Sequence, residues 1–288
     1  MLTSNFMLSP AITPVAFSMA AVVTWGTSDF LGGFGTRRTN AFVFTTLVNC
    51  GGLAFMALLA SQSHAAFPSL RSAAWLLAGG MTGGGCLALF YRALSSGSMG
   101  LAAPVAAVIA AGIPALVGMI TQGLPGKLAL MGFALAVIGL WLVAGSGGGS
   151  DAQLSSLALA ALSGVGFAGF YLCVHQAGSG SPVWFALLTR FGGLLSTGAV
   201  VLAQGRIREL ANGRVSWAAL VGCLDSSGTM LFVHASQTGR LDEAVILSSL
   251  YPAVTVILAR IFLAEHFSPR KLVGLLSILA AVPMIAAG

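Results

Sequence analysis

The stretch LFVHASQTGRLDEAVILSSLYPAVTVILARIFLAEHFSPRKLVGLL, from Leu231 to Leu276, decides the fold of this chain. It reads as the end of one apolar helix, a short polar break, a second apolar helix, a basic turn and the start of a third helix. A degraded copy, FYRALSSGSMGLAAPVAAVIAAGIPALVGMITQGLPGKLALMG, lies between Phe90 and Gly132, 142 positions earlier. The sequence therefore predicts that the chain consists of two internal repeats.

The two copies keep several identities in one register. These include a tryptophan, a phenylalanine and glycines, at Trp75 and Trp217, Gly80 and Gly222, Phe90 and Phe232, and Gly132 and Gly274. With one residue of slippage, Gly51-Gly52-Leu53 also falls on Gly192-Gly193-Leu194. Single identities mean little in a chain this apolar, but a tryptophan and several glycines in one register indicate a shared architecture.

The composition is that of a membrane protein. Hydrophobic residues make up 57% of the chain and charged residues only 7%, against roughly 25% charged in a soluble domain. A hydrocarbon core about 30 Å thick requires about 20 apolar residues per helix. Backbone groups in lipid must be paired internally, so spanning segments are helices or a closed barrel. The apolar runs are long and do not alternate with polar residues, which favours helices.

We therefore predict an all-α polytopic membrane protein with ten transmembrane helices, arranged as two inverted five-helix repeats. The predicted spans are 14–36, 40–60, 72–94, 100–121, 126–145, 154–176, 182–203, 215–237, 242–263 and 269–287. The Gly/Ser stretch 145–151 is predicted to link a first repeat, 1–147, to a second, 152–288. Because each copy has an odd number of spans, the second copy starts on the opposite side of the membrane and has inverted topology. Many secondary transporters have such inverted repeats.

The charges and cysteines argue against several other classes of protein. Thirteen Lys and Arg against seven Asp and Glu give a net charge of +6, but most of the basic residues lie at helix ends, where loops meet lipid headgroups. We therefore expect no nucleic-acid partner. The four cysteines lie in apolar runs without CxxC spacing, and His175 and His234 lack a third ligand at a useful spacing. No metal site, cofactor or catalytic residue is expected.

Three charged residues lie well away from the ends of the predicted spans, where a charge is costly and faces a partner or a wet cavity. They are Asp29, Arg190 and Asp225. In the repeat register, Arg190 matches Asn49 and Asp225 matches Gly83, so both charges are specific to the second copy. Three interpretations stay open: an ion pair that locks two helices, binding of a charged group of a substrate, and a proton-coupling role for Asp29 or Asp225. In a transport mechanism, we expect Arg190 or freed backbone groups to meet the carboxylate of the substrate.

Aromatic and polar residues near a proline form a second set of candidates. The segment Ser248-Ser249-Leu250-Tyr251-Pro252 is predicted to lie in mid-membrane, where Pro252 would free the carbonyl of Ser248 for a ligand. We expect Ser248 and Ser249 to contact polar atoms of a substrate. Its apolar part would be held by Trp25, Tyr91, Trp184 and Tyr251. The alternative is a kinked helix with lipid-facing aromatic residues.

Several of these residues carry a family resemblance. Trp25-Gly26, Tyr251-Pro252, the stretch 263–266 (Leu-Ala-Glu-His) and Gly274, within ten spans, resemble the ten-helix drug/metabolite transporter superfamily. Within it, the chain is most similar to exporters of amino acids and related metabolites, the aromatic amino acid exporters included. The resemblance implies a central cavity between spans 1–4 and 6–9, with spans 5 and 10 peripheral. The first copy departs from the pattern, because Ala110 stands at the repeat position of Pro252 and Gly123 at the repeat position of Glu265.

The sequence thus predicts a multi-pass protein of a bacterial-type inner membrane, a monomer or homodimer, which exports amino acids and related small metabolites by alternating access. The absence of GxxxxGK[ST], HExxH and GxSxG motifs argues against ATP hydrolysis and against an enzyme. A multidrug or nucleotide-sugar carrier and an uncoupled facilitator or channel are the alternatives. The Lys/Arg count of the loops predicts termini outside the cytoplasm, whereas the resemblance implies cytoplasmic termini.

Overall fold

The structure is a computed structural model, which describes residues 12–97, 99–122, 126–144, 151–212, 215–238, 247–248 and 250–286. These residues form helices and no strand, as the sequence predicted. The helices are α1 (Ile12–Thr36), α2 (Ala41–Gln62), α3 (Leu70–Ser96), α4 (Met99–Gln122), α5 (Lys127–Ala144), α6 (Asp151–Ala177), α7 (Pro182–Ala203), α8 (Ile207–Asn212), α9 (Val215–Thr238), α10 (Tyr251–Phe262) and α11 (Pro269–Ala286).

Six of these helices are long and apolar enough to cross a membrane. They are α2, α3, residues 99–117 of α4, α6, α7 and α9. Two shorter apolar segments, Lys127–Leu142 and Tyr251–Phe262, lie in α5 and α10. The chain is therefore a multi-pass membrane protein, while the full count of ten spans stays a prediction.

Polar residues at the predicted breaks begin two of the helices. The Oδ1 atom of Asn40 accepts hydrogen bonds from the backbone N–H groups of Phe42 (2.9 Å) and Val43 (3.2 Å) at the start of α2. The hydroxyl of Ser69 accepts from the N–H of Ser72 at the start of α3. Side-chain oxygens at these positions satisfy N–H groups that have no partner within the helix.

The role predicted for Pro252 in the ninth span, 242–263, needs a correction within the part of the span that the structure describes. Pro252 does not kink the middle of a helix, because α10 begins at Tyr251 and Pro252 lies in its first turn. A proline fits there, since the first N–H groups of a helix have no partner in it. The twelve residues of α10 extend about 18 Å, too short to cross the hydrocarbon alone.

A second difference lies between α7 and α9, where the sequence predicted only a connection. Residues Ile207–Asn212 form the short helix α8. An exposed ion pair joins Nη1 of Arg206 to Oε1 of Glu209 at 2.8 Å. A six-residue polar helix does not have the length or the apolar periodicity by which the spans were recognised, so it was missed.

Contacts between helices run mostly between the first and second halves of the chain. Helix α3 packs on α6 and α7, α1 packs on α9 and α10, and α2 packs on α7 and α9. Helix α4 packs on α6, α10 and α11. Helices α5 and α11 pack extensively on each other. The remaining long helices therefore surround a common centre to which both halves contribute.

Glycines permit the closest of these crossings. A Cβ atom added at Gly80 of α3 would collide with the carbonyl oxygen of Thr189 in α7. A Cβ at Gly222 of α9 would collide with the carbonyl oxygen of Val48 in α2. In a membrane, small residues that let backbones approach provide much of the association between helices. These two contacts position α7 and α9, the helices that carry Arg190 and Asp225.

Candidate functional site

A cavity lies at the common centre of the helices, among α1, α2, α3, α6, α7, α9 and the start of α10. It encloses about 620 Å³ of empty space, its opening included. Small-molecule sites commonly combine apolar walls with a few polar groups, as this cavity does. Both halves of the chain contribute to the wall.

Two of the predicted buried charges meet in this wall. Nη1 of Arg190, on α7, forms an ion pair with Oδ2 of Asp225, on α9, and both side chains are about nine-tenths buried. The same Nη1 donates to Oδ1 of Asn49, on α2, at 3.5 Å. Nδ2 of Asn49 in turn donates to the hydroxyl of Thr197 at 3.4 Å. The network joins α2, α7 and α9, and it engages Nη1 of the guanidinium that the sequence offered to a substrate carboxylate. Nε of Arg190 has no hydrogen-bond partner among the described residues.

The third predicted charge, Asp29 on α1, lies in the same wall. Its exposed fraction is 6%. Within the described residues, neither a hydrogen bond nor an ion pair reaches its carboxylate. Asp29, Asp225 and Arg190 are the charged residues among those lining the cavity, so carboxylates outnumber cations there.

Aromatic rings line the cavity beside these charges. The rings of Trp25 and Tyr251 meet at 6.0 Å between centroids, at 72°. The ring of Phe232 packs behind them, 5.5 Å from Trp25 and 6.4 Å from Tyr171. Trp25, Tyr171 and Tyr251 all line the cavity. Edge-to-face contacts of this kind hold aromatic rings in defined orientations.

The glycine after Trp25 explains how two of these rings come together. A Cβ atom on Gly26 would lie 2.6 Å from the carbonyl oxygen of Tyr251 and 2.5 Å from Cβ of Val254. The hydroxyl of Thr255 donates to the carbonyl oxygen of Gly26 at 3.0 Å. The Trp-Gly pair of α1 thus lets α10 approach closely and sets Tyr251 against Trp25.

Two predicted site residues lie away from the lining. Tyr91 is fully buried, with its ring 6.1 Å from that of Phe44. Trp184 lies in the first turn of α7, where its Nε1 donates to the carbonyl oxygen of Ala65 at 3.0 Å and its ring meets that of Phe67 at 5.0 Å. Trp184 therefore anchors the connection between α2 and α3 to the start of α7.

The serine-proline segment is only partly described. Ser248 and Pro252 are buried, and neither is among the residues that line the cavity. Ser249 lies outside the described residues. Because Pro252 begins α10 instead of interrupting a helix, it does not open a backbone carbonyl in a helix interior.

Several lining residues were not predicted. They include polar side chains and further aromatic rings, at Asn49, Thr189, Thr229, Phe167, Phe170 and Tyr171. Asn49 carried a usable signal, because it occupies the register position of Arg190. The others are ordinary residues of membrane helices, and only the rotation of each helix decides which of them faces the cavity.

The cavity offers no grouping suited to a metal ion. Among the described residues, no three His, Cys, Asp or Glu side chains lie close enough to share one. The cavity combines two carboxylates, a paired guanidinium and aromatic rings within an apolar protein.

Comparisons with known proteins agree with this architecture. The model of the EamA-like transporter family matches residues 154–287, which run from α6 to α11. A solved structure, described only as the crystal structure of a protein, covers 95% of this chain and 97% of its own, at 16% identity and a TM-score of 0.52. At that identity the likeness concerns the fold alone. Curated proteins gave no match.

Proposed function

We propose that the protein is a membrane transporter that moves small metabolites, amino acids and related solutes among them, out of the cell by alternating access. The cavity carries this proposal, because buried charges and aromatic rings converge on it from both halves of a multi-pass protein. An intramembrane ionisable residue is costly and marks a substrate or ion pathway. The similarity of the second half to the EamA-like transporter family supports the same function.

The proposed mechanism uses two inverted repeats, with the Gly/Ser stretch 145–151 as their link. Paired contacts support this arrangement. Gly80 meets Thr189 where α3 crosses α7, and Gly222 meets Val48 where α9 crosses α2. In the repeat register, Gly80 corresponds to Gly222 and Thr189 corresponds to Val48, so the two contacts are equivalent. A two-fold axis in the membrane plane would produce such equivalent contacts.

A second pair of contacts follows the same rule. Gly84 faces Gly193, and Gly52 faces Ser226. In the repeat register, Gly84 corresponds to Ser226 and Gly52 to Gly193. Crossings built from such small residues would let one helix group rock against the other around a central site.

In this mechanism the substrate lies in the cavity, between α1, α6 and the start of α10. Trp25 and Tyr251 pack on its apolar part. The network of Arg190, Asp225 and Asn49 ties α2, α7 and α9 together behind it. We further propose a bacterial-type inner membrane as the location, which the resemblance of the sequence to the ten-helix drug/metabolite transporters implies.

Uptake of solutes into liposomes that contain the purified protein tests the proposal. A panel of amino acids and related metabolites is offered to the parent and to Trp25→Ala and Tyr251→Ala. Both variants are expected to lose most of the uptake of any transported solute. Trp184→Ala is the matched control, because this tryptophan lies outside the cavity and its variant should keep parental uptake. Equal uptake by all four proteins, or none by the parent for any solute, would contradict the proposal.

A further inference from the structure

We infer that the cavity recognises the ammonium group of its ligand, with Asp29 as the counter-ion and Trp25, Tyr171 and Tyr251 as the surrounding rings. This rests on the proposed function and names the chemical class of the substrate: an organic amine or other small organic cation. A carboxylate on the ligand is not needed for recognition.

The charges in the cavity lead to this class. Arg190 is paired with Asp225 and bonded to Asn49, so its charge is already compensated. Asp29 is buried at the same cavity, and none of the described residues supplies a cation to it. An isolated carboxylate in low dielectric is strongly unfavourable, and a bound cation removes that cost.

The rings support the same class independently. Trp25 and Tyr251 meet edge to face at 6.0 Å between centroids, and Tyr171 lines the same space. Trp25 lies one helical turn before Asp29 on α1, so ring and carboxylate share one face of the helix. The faces of aromatic rings attract cations, and aromatic cages are a common means of binding ammonium groups.

The arrangement also disfavours anionic ligands. A ligand carboxylate beside Arg190 would have to share a guanidinium whose charge Asp225 already compensates, or displace Asp225 and leave it buried without a cation. The ligand carboxylate would also share the cavity with the carboxylate of Asp29. Like charges that meet in a binding site repel each other and exclude the wrong partner.

The test is calorimetric titration of the full chain in detergent with three probes of similar size: 2-phenylethylammonium, 2-phenylethanol and phenylacetate. The parent should bind the ammonium probe and bind the alcohol and the carboxylate at least roughly tenfold more weakly. Equal affinity for ammonium and alcohol, or a preference for phenylacetate, would overturn the inference.

Variants then locate the counter-ion. Asp29→Asn keeps the shape of the side chain and should weaken binding of the ammonium probe roughly 30-fold or more, the usual effect of removing one partner of a buried charge pair. Asp151→Asn makes the same change at an exposed acid at the start of α6 and should leave the affinity unchanged. If Asp29→Asn folds and binds as the parent does, the assignment of Asp29 is wrong.

Two features keep the test decisive. If Asp29→Asn does not fold, the discrimination of the parent among the three probes still decides the ligand class. Asp29→Glu restores the charge and is expected to recover part of the affinity.

Binding is measured without liposomes, so a protein that transports solutes but prefers phenylacetate would contradict only this inference. A protein that binds the ammonium probe but transports nothing would contradict only the proposed function.

Discussion

Nη1 of Arg190 donates to Oδ1 of Asn49 at 3.5 Å, although 141 positions separate the two residues in the chain. In the repeat register these residues occupy equivalent positions. Two equivalent groups related by a two-fold axis can touch only beside that axis. Both residues line the cavity, so the proposed axis passes along it, where the substrate sites of inverted-repeat transporters lie.

The glycine crossings provide a first prediction about stability. Gly80→Ala and Gly222→Ala should each destabilise the protein by about 1–3 kcal/mol, because the added Cβ would overlap a backbone carbonyl of a neighbouring helix. Thermal unfolding in detergent measures the effect. Similar losses at the two sites are expected, because the two crossings have the same form.

Gly198→Ala is the matched control for these variants. No atom lies within 4 Å of a Cβ added at Gly198 of α7, and alanine in a helix interior is favoured over glycine by about 0.5–1 kcal/mol. This variant should be as stable as the parent or slightly more so. If Gly80→Ala has the same melting temperature as Gly198→Ala, the close crossing of α3 and α7 is not present in the protein.

The ion pair between Arg190 and Asp225 provides a second prediction. Asp225→Asn should destabilise the protein by about 3–5 kcal/mol, since it leaves a buried guanidinium without its counter-ion. Adding Arg190→Met should recover much of that loss, because the double variant buries no charge at the pair. A double-mutant cycle of unfolding free energies measures the coupling.

The exposed pair of Arg206 and Glu209 serves as the comparison. Their atoms meet at 2.8 Å with both side chains almost half exposed, and such pairs contribute about 0–1 kcal/mol. A coupling at Arg190 and Asp225 no larger than at this surface pair would show that the buried residues do not interact as described.

Glu265 provides a third prediction. Its carboxylate accepts hydrogen bonds from the N–H groups of Met99 (2.8 Å) and Gly100 (3.1 Å), the first two residues of α4. Its own backbone carbonyl accepts from Nη1 of Arg260 at 2.6 Å. Glu265→Ala should keep the contact with Arg260 but lose the cap of α4, at a cost of about 0.5–2 kcal/mol.

Hydrogen exchange locates this effect. Amide exchange in peptides that cover the start of α4 should speed up in Glu265→Ala, whereas exchange in α7 should stay as in the parent. Glu209→Ala removes an acid from the surface helix α8 and should leave the start of α4 protected. Unchanged protection of Met99 and Gly100 in Glu265→Ala would mean that another group caps the helix.

The cost of a charge in lipid made the centre of the site predictable. Asp29, Arg190 and Asp225 stood out because an apolar span does not retain ionisable residues without a partner or a wet cavity, and all three line the cavity. Trp25 and Tyr251 were found among several aromatic residues in spans. The helical class followed from composition, since long apolar runs leave the backbone few other structures.

The remaining details depend on distances that no sequence pattern contains. Trp184 resembled a site residue, but its indole bonds to Ala65 in a loop that lies 119 positions away. Tyr171 was not chosen, because only the rotation of α6 turns it towards the cavity. Pro252 looked like a kink, since the break at Leu250 that makes it a first-turn residue has no strong sequence signal.

The cavity is proposed to belong to a carrier, which alternates between two sides of a membrane. Counterflow tests it most directly, with the solute that the uptake panel identifies and with Trp25→Ala as the inactive comparison. Liposomes loaded with that solute at high concentration should accumulate labelled solute from outside, and empty liposomes should not, because a carrier returns with its site reloaded. Labelled uptake that is the same with and without internal solute would contradict a carrier mechanism and indicate a channel.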